Sequence, residues 1–198
     1  MRGEMSKLPD DPVLQAALKT TGAIAYEEQA FRIIPGSAVV HNLHFEHLWA
    51  GTGAGRCNPD GIARLYLSTD RQTAQAEFDH HQSRSGFDPK DADFYSFAVE
   101  VKLARVLDLT DDTTRTHLEI TLDQTLEGWE PDPLLPPPPP TRLQAIGYWI
   151  SKGFGNFSAI LYPSARRKTG YNLVVFKERL GLGDSVTPTS GTPTKGWP

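Results

Sequence analysis

Apolar and polar positions alternate with two different periods along this chain, and the periods mark its elements. Residues 96–106 place Phe97, Val99, Val101 and Leu103 on one side and Glu100 and Lys102 on the other, which predicts a half-buried strand. Shorter runs at 30–34 (AFRII), 62–68 (IARLYLS), 157–162 (FSAILY) and 172–176 (NLVVF) predict four more. Helical spacing appears in three places. Asp11 followed by Pro12 reads as a cap and first helical residue, opening a helix to about Lys19. Thr69-x-x-Gln72 reads as a capping box for a helix from about Asp70 to His81. Leu143, Ile146 and Ile150 set a helix within Thr141–Lys152. Strands outnumber helices, and the expectation is an α+β fold, a single compact domain with a split, mostly antiparallel sheet.

Composition narrows the setting. The chain has 198 residues with a formal net charge of −4, which suits one domain. It has no apolar run long enough to span a bilayer, and its start, MRGEMSKLPDD, lacks the apolar stretch of a secretory signal. A cytoplasmic protein with no membrane contact is therefore expected. The acidic balance argues against direct nucleic-acid binding by this chain. Cys57 is the one cysteine, so no internal disulfide forms. Two segments stand apart. Residues 131–140 (PDPLLPPPPP) should form a stiff polyproline loop, read as a crossover inside the domain rather than a ligand for an aromatic groove. Residues 183–198 are rich in Gly, Thr, Pro and Ser and read as a flexible tail behind a domain at 1–182.

The candidate chemistry clusters. Gly51 to Gly61 holds four glycines in eleven residues, so backbone there can approach a ligand closely. No Gly-Lys-Ser/Thr follows, which excludes a Walker loop. Arg56 within the loop suits a phosphate or carboxylate. Tyr66 follows on a strand. Glu77 shares a helix face with Ala74, Phe78 and His81, where a carboxylate must be functional or paired, with Arg56 or Arg32 as the internal partner. Ser164 stands behind Pro163 after a strand, without the G-x-S-x-G of a nucleophile elbow, so it reads as a hydrogen-bonding residue. His41, His44 and His47 recur every three residues, a spacing that fits neither a strand nor the helical pair of H-E-x-x-H, so no metal is expected.

The order of these motifs, Phe31-Arg32-Ile33, GTGAGRCNPDG, LYLST, AQAEF, VKLARVLDLTD and LYPSARRKTGYNLVVF, resembles the RES domain, the toxin half of bacterial Xre–RES toxin–antitoxin pairs. The resemblance spans about residues 25–180. It implies a fold similar to ADP-ribosyltransferase toxins, NAD⁺ as substrate and cleavage of its nicotinamide–ribose bond by water or by inorganic phosphate as co-substrate. It also implies a cognate Xre-like antitoxin as partner. By position it assigns catalytic roles to Arg32, Arg56, Tyr66, Glu77 and Ser164, with Asn58 joining Arg32, Arg56, Tyr66 and Ser164 in substrate binding. The chain departs from the family loop at Ala54, where glycine is usual, and at Cys57, where tryptophan is usual. Two alternatives remain at this level: a protein ADP-ribosyltransferase using the same residues, and a non-catalytic partner-binding domain.

Overall fold

The computed structural model describes residues 8–36, 48–49, 51–84, 93–127, 138–189 and 194–196. Helix α1 (Pro12–Thr20) starts where expected, with the Asp11 carboxylate accepting from the Leu14 amide at 2.9 Å. Strand β1 (Ile24–Pro35) is longer than the apolar run at 30–34 suggests. Its first half, Ile24 to Gln29, is exposed except at Tyr26, so a single buried side chain leaves no apolar alternation to read there. Its partner β3 (Phe94–Asp108) holds it in place, pairing antiparallel from Ile24↔Val106 to Pro35↔Phe94.

Strand β2 (Arg64–Ser68) leads into helix α2 (Arg71–Arg84). The cap of α2 differs from the expected box. Asp70 accepts from the Thr73 amide at 2.9 Å, while the Thr69 hydroxyl donates to the Tyr171 carbonyl at 3.2 Å. Asp outcompetes Thr here because its carboxylate also complements the helix dipole. Two short helices follow β3, α3 (Asp112–His117) and α4 (Leu122–Leu126), neither foreseen, since runs of six and five residues show no apolar period. Residues 138–140 of the proline run enter helix α5 (Arg142–Ser151), capped by a Thr141–Gln144 box; the rest of that run lies outside the described residues.

Strands β4 (Ala159–Pro163) and β5 (Tyr171–Phe176) complete the predicted set. The stretch expected as a flexible tail contributes strand β6 (Ser185–Pro188), antiparallel to β3, and the short β7 (Thr194–Lys195). Main-chain pairing along an open edge orders it, and this needs no apolar side chains. Asp184 anchors its start by accepting from the Ala104 amide at 2.9 Å and the Gly181 amide at 2.8 Å. Trp197 lies outside the described residues.

The sheet runs β1-β2-β5-β4-β3-β6, with β1 and β3 also paired, so five strands close a ring. All of these pairings are antiparallel except β3 with β4. The ring is split at two narrow seams. β3 and β4 share three residue pairs, and β1 and β2 meet only at Phe31↔Ser68. Alternation divides the core into two layers. Ile160, Tyr162, Val174 and Phe176 face Leu14 and Leu18 of α1 and Leu143, Ile146 and Ile150 of α5. Leu65, Leu67, Leu173 and Val175 join Phe97, Val99, Val101 and Leu103 on the other side. A third cluster seats Ala74 and Phe78 of α2 against Phe31 and Ile33 of β1, beside the β1–β2 seam. No helix among the described residues is long and apolar enough to cross a membrane.

Candidate active site

A cavity of about 550 Å³ opens at the β1–β2 seam. β1 supplies Phe31 and Arg32, β2 supplies Arg64, Tyr66 and Ser68, and α2 supplies Glu77 and Phe78 to its wall. Ala54, Gly55 and Arg56 of the glycine-rich loop, Tyr162, Arg166 and Asn172 close it. Four of the five residues assigned catalytic roles by resemblance, Arg32, Arg56, Tyr66 and Glu77, thus line one cavity. Ser164 stands directly behind it.

Glu77 forms no ion pair to the described residues, unlike the internal salt bridge weighed from the sequence. Its Oε1 accepts from the Ser164 hydroxyl at 2.7 Å and from the Asn172 side-chain amide at 2.7 Å. Ser164 is 3% exposed, and its oxygen accepts from the backbone N–H groups of Arg166 and Arg167 at 3.1 and 3.2 Å. With both lone pairs occupied, its proton can only point at the carboxylate. The serine therefore holds Glu77 rather than reaching into the cavity. The serine loop is itself clamped to α2. Arg167 donates to Asp70 at 3.1 Å, to Thr73 at 3.2 Å and to Gln72 at 2.7 Å. Thr73 and Glu77 are one turn apart, so the clamp and the carboxylate share a helix face.

The glycine-rich loop forms a tight turn in which Gly55 and Asn58 exchange backbone hydrogen bonds, putting Arg56 and Cys57 at its tip. The Tyr66 hydroxyl accepts from the Cys57 amide at 2.8 Å and donates to Asn58 Oδ1 at 2.7 Å. Arg64 Nε donates to the same oxygen at 3.1 Å. A Cβ at Gly55 would sit 2.6 Å from the Tyr66 hydroxyl, so glycine alone permits this approach. Asn58 is fully buried and braces the turn, outside the cavity wall. Arg56, 7% exposed, donates from Nη1 to the carbonyls of Thr125 and Glu127 at the end of α4. Its other N–H groups make no hydrogen bond to the described residues.

The electrostatics favour an anion. Arg32, Arg56, Arg64, Arg84 and Arg166 line the cavity, and Glu77 is the one carboxylate among its described lining residues. Nε of Arg32 and of Arg166 is buried with no hydrogen-bond partner. Burial and the neighbouring Arg64 guanidinium both push the Arg32 pKa down from its ordinary value. A buried cation without a counter-charge is costly unless a ligand completes it. Burial raises the Tyr66 and Tyr162 hydroxyls well above the usual tyrosine value, so both act as neutral hydrogen-bonding groups. Burial also lifts the Cys57 thiol to about 12, which rules it out as a thiolate nucleophile. His41, His44 and His47 lie outside the described residues, among which no cluster of three or more His, Cys, Asp or Glu side chains could hold a metal ion.

Residues 29–193 match the family model of the RES domain. The chain belongs to the RES domain family. One solved structure similar to this RES domain is described as the crystal structure of the M. tuberculosis MbcT–MbcA toxin–antitoxin complex. The two share 19% identity over 93% of this chain and 92% of that one, with a TM-score of 0.72, so they share the fold. No curated protein sequence matches this chain. Sequence reasoning passed over Arg64, Arg166, Ser68 and Asn172 in this RES domain. One signal was available for Asn172. Alternation along NLVVF puts this polar residue on the same face as Val174 and Phe176, where a buried amide must have partners.

The brace behind the turn is testable. Tyr66→Phe strips the acceptor from the Cys57 amide and one donor from Asn58, leaving buried groups unsatisfied. The expected loss is about 1–3 kcal/mol, seen as a lower melting temperature in thermal denaturation. An unchanged melting temperature would show that the hydroxyl braces nothing.

Proposed function

We propose that this RES domain is a toxin that breaks the nicotinamide–ribose bond of NAD⁺ and is neutralised by a cognate Xre-like antitoxin. The observation that carries this reading is a cavity lined by arginines in which one carboxylate is held fixed by two hydrogen bonds. NAD⁺ has the matching charge pattern. Its diphosphate is anionic, and its nicotinamide-bearing ribose becomes cationic as the glycosidic bond breaks.

Arg32, Arg64 and Arg166 take the diphosphate by charge-assisted hydrogen bonds. The nicotinamide ring lies on the apolar wall of Phe31, Phe78 and Tyr66, whose ring carries the Arg64 guanidinium 5.7 Å from its centroid. The C–N bond breaks with its electron pair going to the ring nitrogen, so neutral nicotinamide leaves and no general acid is needed. The ribose passes through an oxocarbenium-like state, as in glycoside hydrolysis. The free oxygen of Glu77 stabilises that positive charge. Water or inorganic phosphate then adds to the anomeric carbon and gives ADP-ribose or its 1-phosphate; when water adds, its proton passes through Glu77 to solvent. The similar M. tuberculosis structure, described as a toxin–antitoxin complex, supports an antitoxin partner.

Mass analysis of the products from purified protein and NAD⁺, with and without phosphate, tests the reading. Loss of NAD⁺ with release of nicotinamide is expected. ADP-ribose in both conditions identifies hydrolysis, and a phosphorylated ADP-ribose formed only with phosphate identifies phosphorolysis. If the purified protein alone leaves NAD⁺ intact, while adding lysate releases nicotinamide and places ADP-ribose on a lysate protein, the enzyme is a protein ADP-ribosyltransferase instead. No reaction in either assay returns the domain to partner binding.

A further inference from the structure

We propose that Asn172, oriented by Ser68, is a positioning residue that fixes which oxygen of Glu77 faces the substrate. Ser68 and Asn172 are directly paired across β2 and β5, so their side chains leave the same face as neighbours. The Ser68 hydroxyl donates to Asn172 Oδ1 at 2.8 Å, and Asn172 Nδ2 donates to Glu77 Oε1 at 2.7 Å. Both side chains are nearly buried, 6% and 5% exposed, yet both line the cavity.

The direction of this relay is fixed by chemistry. An asparagine amide can sit either way round, but a reversed Asn172 would press its carbonyl oxygen on a carboxylate oxygen. Only the observed orientation lets both ends bond. Ser68 secures it, because a hydroxyl given a carbonyl acceptor donates. Ser164 reaches Oε1 from the other side with its own proton. Two donors therefore converge on one oxygen, and Oε2 has no hydrogen-bond partner among the described residues. A carboxylate held by one oxygen alone could rotate about its last bond. Donors from two directions stop that rotation and leave Oε2 as the oxygen aimed at developing charge. Ser164 supplies one support, and Asn172 with Ser68 supplies the other.

The role in turnover rests on the proposed NAD⁺ cleavage; the role in orientation does not. Two measurements on the full-length protein separate them. In kinetics, Asn172→Ala should lower kcat by about 10–100-fold, the loss seen when an outer-shell partner that orients a metal ligand is removed and here taken as the scale for orienting a carboxylate, with the KM for NAD⁺ little changed. Ser68→Ala should lower kcat by less, and Ser68→Ala combined with Asn172→Ala should match Asn172→Ala alone, because serine acts only through asparagine. Ser68→Thr, which keeps the hydroxyl, should restore kcat. In crystal structures, Asn172→Ala should show the Glu77 carboxylate turned or in two orientations. If Asn172→Ala keeps kcat near wild type, or its Glu77 keeps the one orientation, the proposal is overturned. Should the wild type leave NAD⁺ intact, the functional reading fails, and the crystal structure of Asn172→Ala decides the positioning role by itself.

Discussion

Under the proposed NAD⁺ cleavage, Glu77→Gln should lower turnover by about 10²–10³-fold, the loss expected when one preorganised charge is removed from a site where opposite charge develops. The substitution is close to isosteric, so the fold should survive. The new amide keeps an oxygen, which still accepts from Ser164 and Asn172 as Glu77 Oε1 does. Its nitrogen then takes the place of Oε2. The atom facing the ribose changes from an anionic oxygen to a donor carrying partial positive charge, which opposes an oxocarbenium-like state. Ground-state binding depends mainly on the arginines, so KM should change little while kcat falls. Expression provides a second readout: the wild type should arrest bacterial growth, and Glu77→Gln should relieve the arrest. Full turnover by Glu77→Gln would remove the carboxylate from the chemistry.

How far this site was legible in the sequence follows from how its residues are placed. The strands and longer helices announce themselves because each buries one face, and burial writes a period into the chain. Glu77 was visible because a carboxylate breaks such a face. The turn at Gly55–Asn58 was visible because close backbone approach requires glycine. Of the two partners of Glu77, Ser164 was visible as a hydrogen-bonding residue and Asn172 was not. Asn172 lies 95 residues away, and the β2–β5 register that delivers it to the carboxylate is a property of the closed ring. Arg56 was read as a ligand-binding group from its glycine neighbours, yet the end of α4, a helix with no apolar period, takes its Nη1. The strand β6 was missed for a related reason. Its order comes from backbone pairing to β3, which any composition without central prolines can make.

Gly147→Ala should destabilise the protein and disturb the cavity together, although it improves a helix on paper. Alanine in a helix interior is worth up to about 1 kcal/mol over glycine, and Gly147 lies within α5. Against this, a Cβ at 147 would overlap the Cys57 carbonyl oxygen and press on the Phe176 ring edge at 3.3 Å. The Cys57 carbonyl belongs to the tight turn that carries Arg56. That turn is fixed by the Gly55–Asn58 backbone pair, by the Tyr66 hydroxyl and by Gln144, one turn before Gly147, which donates to the Gly55 carbonyl at 2.8 Å. Neither side can give way cheaply, since α5 is packed into the core layer through Leu143, Ile146 and Ile150. Overpacking of this kind costs about 1–3 kcal/mol or more, which outweighs the gain in propensity. A net loss of about 1–2 kcal/mol lowers the melting temperature by roughly 2–8 °C in a domain of this size. Relief of the overlap must move the turn, and with it Arg56 and the bracing of Tyr66, so NAD⁺ turnover should fall as well. Gly22→Ala serves as the control, because a Cβ there meets nothing within 4 Å. A Gly147→Ala protein that melts higher than wild type with unchanged turnover would show that α5 and the turn are not in the close contact on which the cavity's shape depends.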